Sequence, residues 1–462
     1  MAVQYDIIIV GAGPAGIFAA LELVQAKTGL KILIIEKGRE IEKRVCVARE
    51  RNAACFKCTP CSTVCGWGGA GAFSDGKLTL SPEVGGSLGV YTGENPLLDL
   101  INYIDRTYID FGAPEQVFGQ EHLAEIQKMQ ARAVLSELRL LAVRIRHMGT
   151  GRSMEVLQKM RKFLLNRGVE VLTSCQVEEV LVKDRVARGV ITKEGKVYQA
   201  RCVILAPGRE GAAWLRREAQ RLDLKMSVNP VDIGVRVELP AAVLEHLTRI
   251  FYEAKIIYYS KTFNDKVRTF CMNPNGEVVL ENNDGLITVN GHSHAYNKSE
   301  NTNFAVLVSK TFTVPFQEPI AYGRHIANLA NLLGGGVIVQ SLGDLVAGRR
   351  STRERLSKCI TAPTLAEATP GDLSLVLPYR HLLGIVEMLK ALEQIAPGVY
   401  SRSTLLYGVE VKFYSSRLAL TKGLETEVQN LFAAGDGAGV TRGLAQASAS
   451  GVLAAREIIN RI

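Results

Sequence analysis

The sequence predicts an α/β protein in which a discontinuous Rossmann-like nucleotide-binding domain carries an inserted domain built on a mixed β-sheet. Three observations predict it. The chain opens with a strand, the glycine turn "GAGPAG" at 11–16, a helix and a second strand. It closes with a strand, a Gly-Asp turn and a glycine-rich helix start at 430–458. Between about 226 and 399 the texture changes to short β-rich stretches broken by turns. At 462 residues the chain is too long for one compact core. Its 47% hydrophobic and 22% charged residues are those of a folded globular protein, which excludes a disordered chain.

"YDIIIV" is a β-branched apolar run suited to a buried parallel strand, "IFAALELVQA" has helical spacing, and "KILIIEKG" is a second buried strand ending in an acid. Gly11 permits the tight turn, Gly13 lets backbone approach a pyrophosphate, and Gly16 lets helix and strand pack closely. Pro14 and Ala15 start the helix, whose N-terminus attracts phosphate charge. Glu36, followed by Lys37, ends the second strand, where a carboxylate accepts hydrogen bonds from ribose hydroxyls. That favours FAD or NAD over a 2′-phosphorylated nucleotide.

The C-terminal stretch "NLFAAGDGAGVTRGLAQASASGVLAAREI" resembles the flavin signature of FAD-dependent oxidoreductases with a glutathione-reductase-like nucleotide fold. The resemblance implies that Asp436, after Gly435, bonds the ribityl or pyrophosphate part of FAD. It also implies that the amides at Gly443, Leu444 and Ala445 face the flavin pyrimidine ring. "GVEVLTSCQVEEVLV" (168–182) resembles the segment whose backbone, here at Val177, meets the adenine. "ARCVILAPGREG" (200–211), with Ala206 and Gly208, resembles the strand and turn that recross the domain. The FAD domain is therefore expected from 1–115, 145–225 and 400–462, with 226–399 as a substrate or cap domain.

The inserted region holds "VDIGVRVEL", "KIIYYSKTF", "RTFCMN", "EVVLENN" and "LITVNG". These read as strands of a mixed or antiparallel sheet. "GGGVIVQSLGD" lacks the GxGxxG-helix-acid order, so no second dinucleotide domain is expected. "GGAGAFSDGKL", "VDIGVRVE", "TFCMNPNGEVV", "NGHSHA" and "GLAQASASG" together resemble an uncharacterised family of FAD-dependent dehydrogenases, distantly related to geranylgeranyl reductases and aromatic hydroxylases. The resemblance implies a flavin fold with a β-sheet substrate domain and leaves the substrate open.

Residues 46–78 form a cysteine- and glycine-rich loop expected beside the flavin. Cys55, Cys58, Cys61 and Cys65 stand at C-x2-C-x2-C-x3-C. That spacing suits three corners of a 4Fe-4S cluster, with Cys65 or Cys46 as fourth ligand. Zinc, a redox pair and free thiols remain open alternatives. In "GWGGAGAFSDGKL", Gly69 lets backbone approach a flat ring, and Ser74, Asp75 and Lys77 are the polar groups expected at flavin or substrate. His292 and His294 of "NGHSHA" are candidate proton donors. Asp75 also reads as a turn residue, Lys77 as a structural ion-pair partner, and the histidines as ordinary loop residues.

A net charge of +9 and a pI near 9.0 allow an anionic partner. "RLLAVRIRHMGTGRSMEVLQKMRKFLLNR" and "AGRRSTRERLSK" read equally as an RNA face, a membrane-surface patch or solvated helix sides. The opening residues lack signal-peptide features and no apolar run reaches membrane-spanning length, so a cytoplasmic location is expected. The favoured reading is an FAD oxidoreductase acting on a small or lipid-like unsaturated molecule. Its electrons would come from the cluster, a ferredoxin-type partner protein or transient NAD(P)H. The competing reading is a basic flavoprotein that modifies or binds RNA or senses redox state.

Overall fold

The computed structural model describes residues 3–26, 29–47, 58–74, 76–283, 285–293, 298–313, 315–316, 318–413 and 416–462. The chain divides into two compact units, one of residues 1–116, 146–229 and 414–462, the other of 117–145 and 230–413.

In the first unit the strand Val3–Val10 lies at the middle of a sheet, parallel to Ile32–Ile35 on one side and to Val197–Leu205 on the other. Ile7, Ile8 and Ile9 are fully buried, because a central parallel strand is covered on both faces, and from Ile7 to Val10 its sequence carries no polar alternation. Glu170–Leu172 extends the sheet beyond Ile32–Ile35, and Leu431–Ala433 pairs in parallel with Val197–Leu205. The strands Val177–Lys183 and Val186–Thr192 join antiparallel. The helix Pro14–Ala26 follows the first strand and packs on the closing helix Leu444–Ile459. The contact is backbone-close: a side-chain carbon at Gly451 would strike the Ala15 carbonyl oxygen and lie 3.0 Å from the Ala19 nitrogen. The run "AQASASGVLAA" supplies side chains small enough for that approach.

The second unit is built on an eight-stranded sheet. Its order is Thr369–Pro370, Ile338–Ser341, Leu405–Lys412, Val231–Pro240, Asn301–Lys310, Lys266–Asn273, Lys255–Tyr259, Leu138–Leu141. All pairings are antiparallel except that of Ile338–Ser341 with Thr369–Pro370. Residues 405–412, expected with the FAD segments, instead pair with Val231–Pro240 at the middle of this sheet. "LLYGVEVK" is buried throughout, and a strand covered on both faces reads alike in either kind of sheet. Leu138–Leu141, outside both expected domains, forms the far edge.

The central strand Val231–Pro240 has two unlike buried faces. Val231, Ile233, Val235, Val237 and Leu239 enter the apolar core with the helices Ala241–Phe251, Pro319–Gly334 and Tyr379–Leu392. Asp232, Arg236 and Glu238 point the other way and are almost fully buried. Arg236 donates to both Glu410 oxygens at 2.7 and 2.8 Å. It also donates to the Cys271 carbonyl at 2.7 Å, Asn303 Oδ1 at 3.2 Å and Asn290 Oδ1 at 3.0 Å. All five guanidinium N–H groups are therefore used.

His381, third residue of the helix Tyr379–Leu392, is 2% exposed, and neither ring nitrogen has a hydrogen-bond partner among the described residues. Burial pushes its pKa down to about 4, and Lys310 adds to the effect. The folded state thus favours the neutral ring. Its contribution is intact above the ordinary histidine range and is lost as pH falls through that range toward 4, to a total of about 3 kcal/mol. His381→Leu is expected to lose less stability than the parent between pH 7 and pH 4, read from urea midpoints. Equal losses would show that this ring does not drive the acid sensitivity.

Candidate functional site

The three glycines of the first turn meet different surroundings. At Gly11 the backbone is left-handed, with φ +104°, and an added side-chain carbon would collide with the Ala206 carbonyl. At Gly16 it would collide with the Gly11 carbonyl and lie 3.1 Å from Ile9. At Gly13 it would meet nothing within 4 Å. The fold itself demands Gly11 and Gly16. Packing does not demand Gly13, and space lies open in front of it at a helix N-terminus whose first amides have no intrahelical partner.

Glu36 sits behind this turn, buried, and accepts three backbone N–H bonds. Ala12 donates to Oε2 at 2.8 Å, while Gly38 and Gly66 donate to Oε1 at 2.8 and 2.9 Å. A carboxylate has about four acceptor positions, so roughly one is left for a ribose hydroxyl. Lys37, next along, pairs with Glu210. The Glu36 amide donates to the Leu172 carbonyl and its carbonyl accepts from Cys175, fixing the segment that leads to Val177. Val177 opens its strand opposite Thr192.

The glycine-rich loop closes over the turn. The Gly68 amide donates to the Ala12 carbonyl at 2.7 Å, and a side-chain carbon at Gly69 would lie 3.2 Å from Gly13 Cα. Trp67 is fully buried and donates its indole N–H to the Leu157 carbonyl at 2.9 Å.

The loop is held from beneath by Arg44, which sequence reasoning missed. It is 2% exposed. Nε donates to the Ser62 carbonyl at 2.9 Å, and Nη1 donates to the carbonyls of Trp67 and Gly69 at 2.6 and 2.8 Å. The guanidinium lies 4.9 Å from the Phe73 ring centre. Nη2 has no partner among the described residues. Burial pushes this pKa down to about 10, so the group is still a cation at neutral pH. No signal in "EKRVCV" distinguishes Arg44 from a surface arginine.

On the other side, Gly208 and Gly435 are left-handed, with φ +65° and +79°. A side-chain carbon at Gly208 would meet nothing within 4 Å, whereas one at Gly437 would lie 2.6 Å from the Gly208 carbonyl oxygen. Asp436 accepts from the Thr441 hydroxyl at 2.7 Å and pairs with the half-exposed Arg209 at 3.3 Å. The helix Leu444–Ile459 begins at Gly443 with no side-chain cap, so the amides of Leu444 and Ala445 are uncapped by its own cap residue. Gln446, also missed, is 1% exposed and accepts from the Leu88 amide at 3.3 Å. It donates to the carbonyls of Pro82 and Val84, each at 3.1 Å, tying residues 82–88 to the helix start.

The remaining candidates fall as follows. Ser74 uses its hydroxyl within its own turn, donating to the Gly71 carbonyl at 2.8 Å. Lys77 is half-buried on the short strand Lys77–Thr79, and Asp75 lies outside the described residues. His292 ends the strand Leu286–His292 of the second unit, opposite Glu277, and His294 lies outside the described residues.

Of the cysteines, Cys58 is exposed, Cys46 and Cys61 are half-buried, Cys65 is buried, and Cys55 lies outside the described residues. Cys61 and Cys65 are one helical turn apart, with the Cys65 amide donating to the Cys61 carbonyl at 2.9 Å. Burial pushes the Cys65 thiol up to about 11, which disfavours the thiolate a metal needs. Among the described residues no three His, Cys, Asp or Glu side chains gather as metal ligands.

Residues 230–413, the larger segment of the second unit, match the family described as "FAD-dependent protein, C-terminal domain-like". Residues 6–59, which contain the Gly13 turn and Glu36, match the lycopene cyclase protein family. An uncharacterised protein of Clostridium beijerinckii is 27% identical over 98% of this chain and 80% of its own length. A tRNA uridine 5-carboxymethylaminomethyl modification enzyme of Geobacillus thermodenitrificans is 27% identical over 54% of this chain, a match that spans only 30% of that enzyme. Among solved structures, L-proline dehydrogenase from P. horikoshii is similar at a TM-score of 0.43 and 11% identity, over 99% of this chain and 94% of that one.

Glu36→Gln keeps the size of the side chain but turns an N–H donor toward at least one of the three amides. It is expected to cost about 2–4 kcal/mol. Chemical denaturation of protein freed of nucleotide measures this directly. A loss under about 0.5 kcal/mol would show that the carboxylate does not hold the three loops.

Proposed function

We propose that this protein is an FAD-dependent oxidoreductase that moves hydride or electrons between flavin and a small or lipid-like unsaturated substrate. The open space at Gly13, between two glycines that packing does demand, is the observation that carries the reading. The N–H pair on Nη2 of the buried Arg44, which has no partner among the described residues, independently fits a pyrophosphate. Gly13, the amides after Pro14 and Arg44 Nη2 would hold the diphosphate, the remaining acceptor position on Glu36 a ribose hydroxyl, and Asp436 the ribityl chain. The uncapped amides of Leu444 and Ala445 would favour negative charge at the pyrimidine edge. FAD, when bound, supplies the hydride acceptor and donor. Lys77 is the proposed cation beside it, with Asp75 its polar neighbour in sequence, and His292 or His294 the proposed proton donor to substrate.

NAD(P)H or a ferredoxin-type partner protein is the proposed electron source. Eight of the nine cysteines are described and all eight are free, which supports a reducing, cytoplasmic setting. No helix among the described residues is long and apolar enough to cross a membrane. A 4Fe-4S cluster on the cysteine run has weaker support, since the described thiols do not assemble three ligands. No electron path is drawn through it. The second functional reading, a basic flavoprotein that modifies or binds RNA, draws on the similarity to tRNA uridine modification enzymes over 54% of the chain. Salt-sensitive co-purification with RNA would favour it.

Purified protein is expected to be yellow and to release FAD, not FMN, on denaturation. Gly13→Val is expected to fold, since a carbon added on Gly13 Cα meets no protein atom within 4 Å, and to bind FAD at least about 100-fold more weakly through collision with the diphosphate. Full FAD occupancy in that variant would move the phosphate elsewhere. Anaerobic iron and sulfide analysis settles the cysteine run separately. About four of each per chain, lost in Cys58→Ser with FAD retained, is the result a cluster requires. Flavin without iron leaves the thiols structural.

A further inference from the structure

We propose that residues 342–360, together with Arg402, form a docking surface for an anionic lipid bilayer. The surface belongs to the second unit and is independent of the flavin reading. It starts one strand in from the edge of the sheet, where the strand Ile338–Ser341 runs into the short helix Leu342–Val346. The next loop is folded back by one buried acid: Asp344 accepts from Arg349 Nε and from the Ser351 hydroxyl, each at 2.7 Å. Ser351 accepts from the Ser341 amide at 3.0 Å, and Gln340 donates to the Arg349 carbonyl at 2.9 Å. Leu356 then plugs a small apolar cluster with Val337, Val339, Leu405 and Tyr407. The segment is pinned from below, so its outward groups are displayed in a fixed arrangement.

Those outward groups are cationic. Arg349, Arg350, Arg353, Arg355, Lys358 and Arg402 are all exposed, against the carboxylates of Asp344 and Glu354, a balance of six minus two, or +4. The acids subtract little from the outward field: Asp344 is buried beneath the loop, and Glu354 pairs with Lys358 in an exposed contact worth little. Arg350, Arg353 and Arg402 form no ion pair among the described residues. Arg402 joins the patch because its carbonyl accepts from the Gly343 amide at 3.1 Å.

Two features select a bilayer over a nucleic acid. Val346 is 57% exposed and Ile360 is 82% exposed, at the two ends of the cationic segment. Aliphatic side chains beside a fixed cationic row match an interface with charged headgroups outside and acyl chains within. The segment 342–360 contains no Phe, Tyr or Trp on which a base could stack.

The test is co-sedimentation of the full chain with vesicles of phosphatidylcholine alone or with about one third phosphatidylglycerol. Binding is expected only to the mixed vesicles, and it should vanish near 0.5 M salt, where the screening length falls to about 4 Å. Arg350→Ala/Arg353→Ala should weaken partitioning about 25-fold, at about fivefold per arginine. Ile360→Ser should weaken it with the salt dependence retained. Both changes are on exposed side chains, and unchanged thermal midpoints would confirm intact folding. Equal binding to both vesicle types, no binding, or a double variant that binds like the parent overturns the proposal. Binding to poly(U) RNA without binding to vesicles also overturns it and assigns the face to nucleic acid.

Discussion

One carboxylate organises the nucleotide-binding unit. Glu36 takes its three N–H donors from residues separated from it by 24, 2 and 30 positions in the chain. Each bond to a buried charge is worth about 1.5–3 kcal/mol, and together they fix three loops against one another. Through Ala12 the acid sets the phosphate turn. Through Gly38 and Gly66 it sets the glycine-rich loop, and hence the position of Gly69 over Gly13. The same contacts place Cys65 against Gly38, where no side chain could be accommodated. An acid at the end of the second strand, where a ribose acceptor is expected, is therefore also a backbone clamp.

The two buried arginines show how donor accounting separates scaffold from site. Arg236 uses all five N–H groups inside the second unit, two of them on Glu410. Gly291 lies so close that any side chain there would strike Asn303, Asn273 and Arg236. Such a node has nothing left to offer a ligand. Buried ion pairs are seldom retained for stability alone, because desolvation offsets much of the attraction. Here the pair orients the strands Val231–Pro240 and Leu405–Lys412 and the hairpin that bears Asn290. Arg44 donates three of its five N–H groups to described residues, and the two on Nη2 have no partner among them. The difference makes Arg44, and not Arg236, a group that an anion can engage.

The sequence made some of this legible for definite physical reasons. "IIIV", "ILII" and "CVILA" are unbroken apolar runs because both faces of a parallel strand are covered, and the turns between them need glycine. "VDIGVRVE" reads as a strand of a mixed or antiparallel sheet, and its residues alternate between apolar and polar. It could not show that the polar face is buried too, because Asn290 and Gly291 come from a hairpin some fifty residues downstream. "LLYGVEVK" was placed in the wrong unit because full burial erases the pattern that distinguishes one sheet from another. Arg44 and Gln446 were invisible for a related reason. Their partners are backbone carbonyls and amides, which every residue possesses and no motif records.

The accounting also links cofactor to folding. A buried guanidinium with two unused donors costs the native state about 1–3 kcal/mol, since those N–H groups would be hydrated in the unfolded chain. The fold tolerates the cost because Nε and Nη1 hold Ser62, Trp67 and Gly69, and so shape the loop over Gly13. A diphosphate accepting from Nη2 would remove the penalty and bind the folded chain alone, which raises stability by mass action. The group that shapes the cradle is thus also the group left unsatisfied by it. With a diphosphate on Nη2, cofactor affinity and the stability of residues 58–74 would rise and fall together, through one side chain.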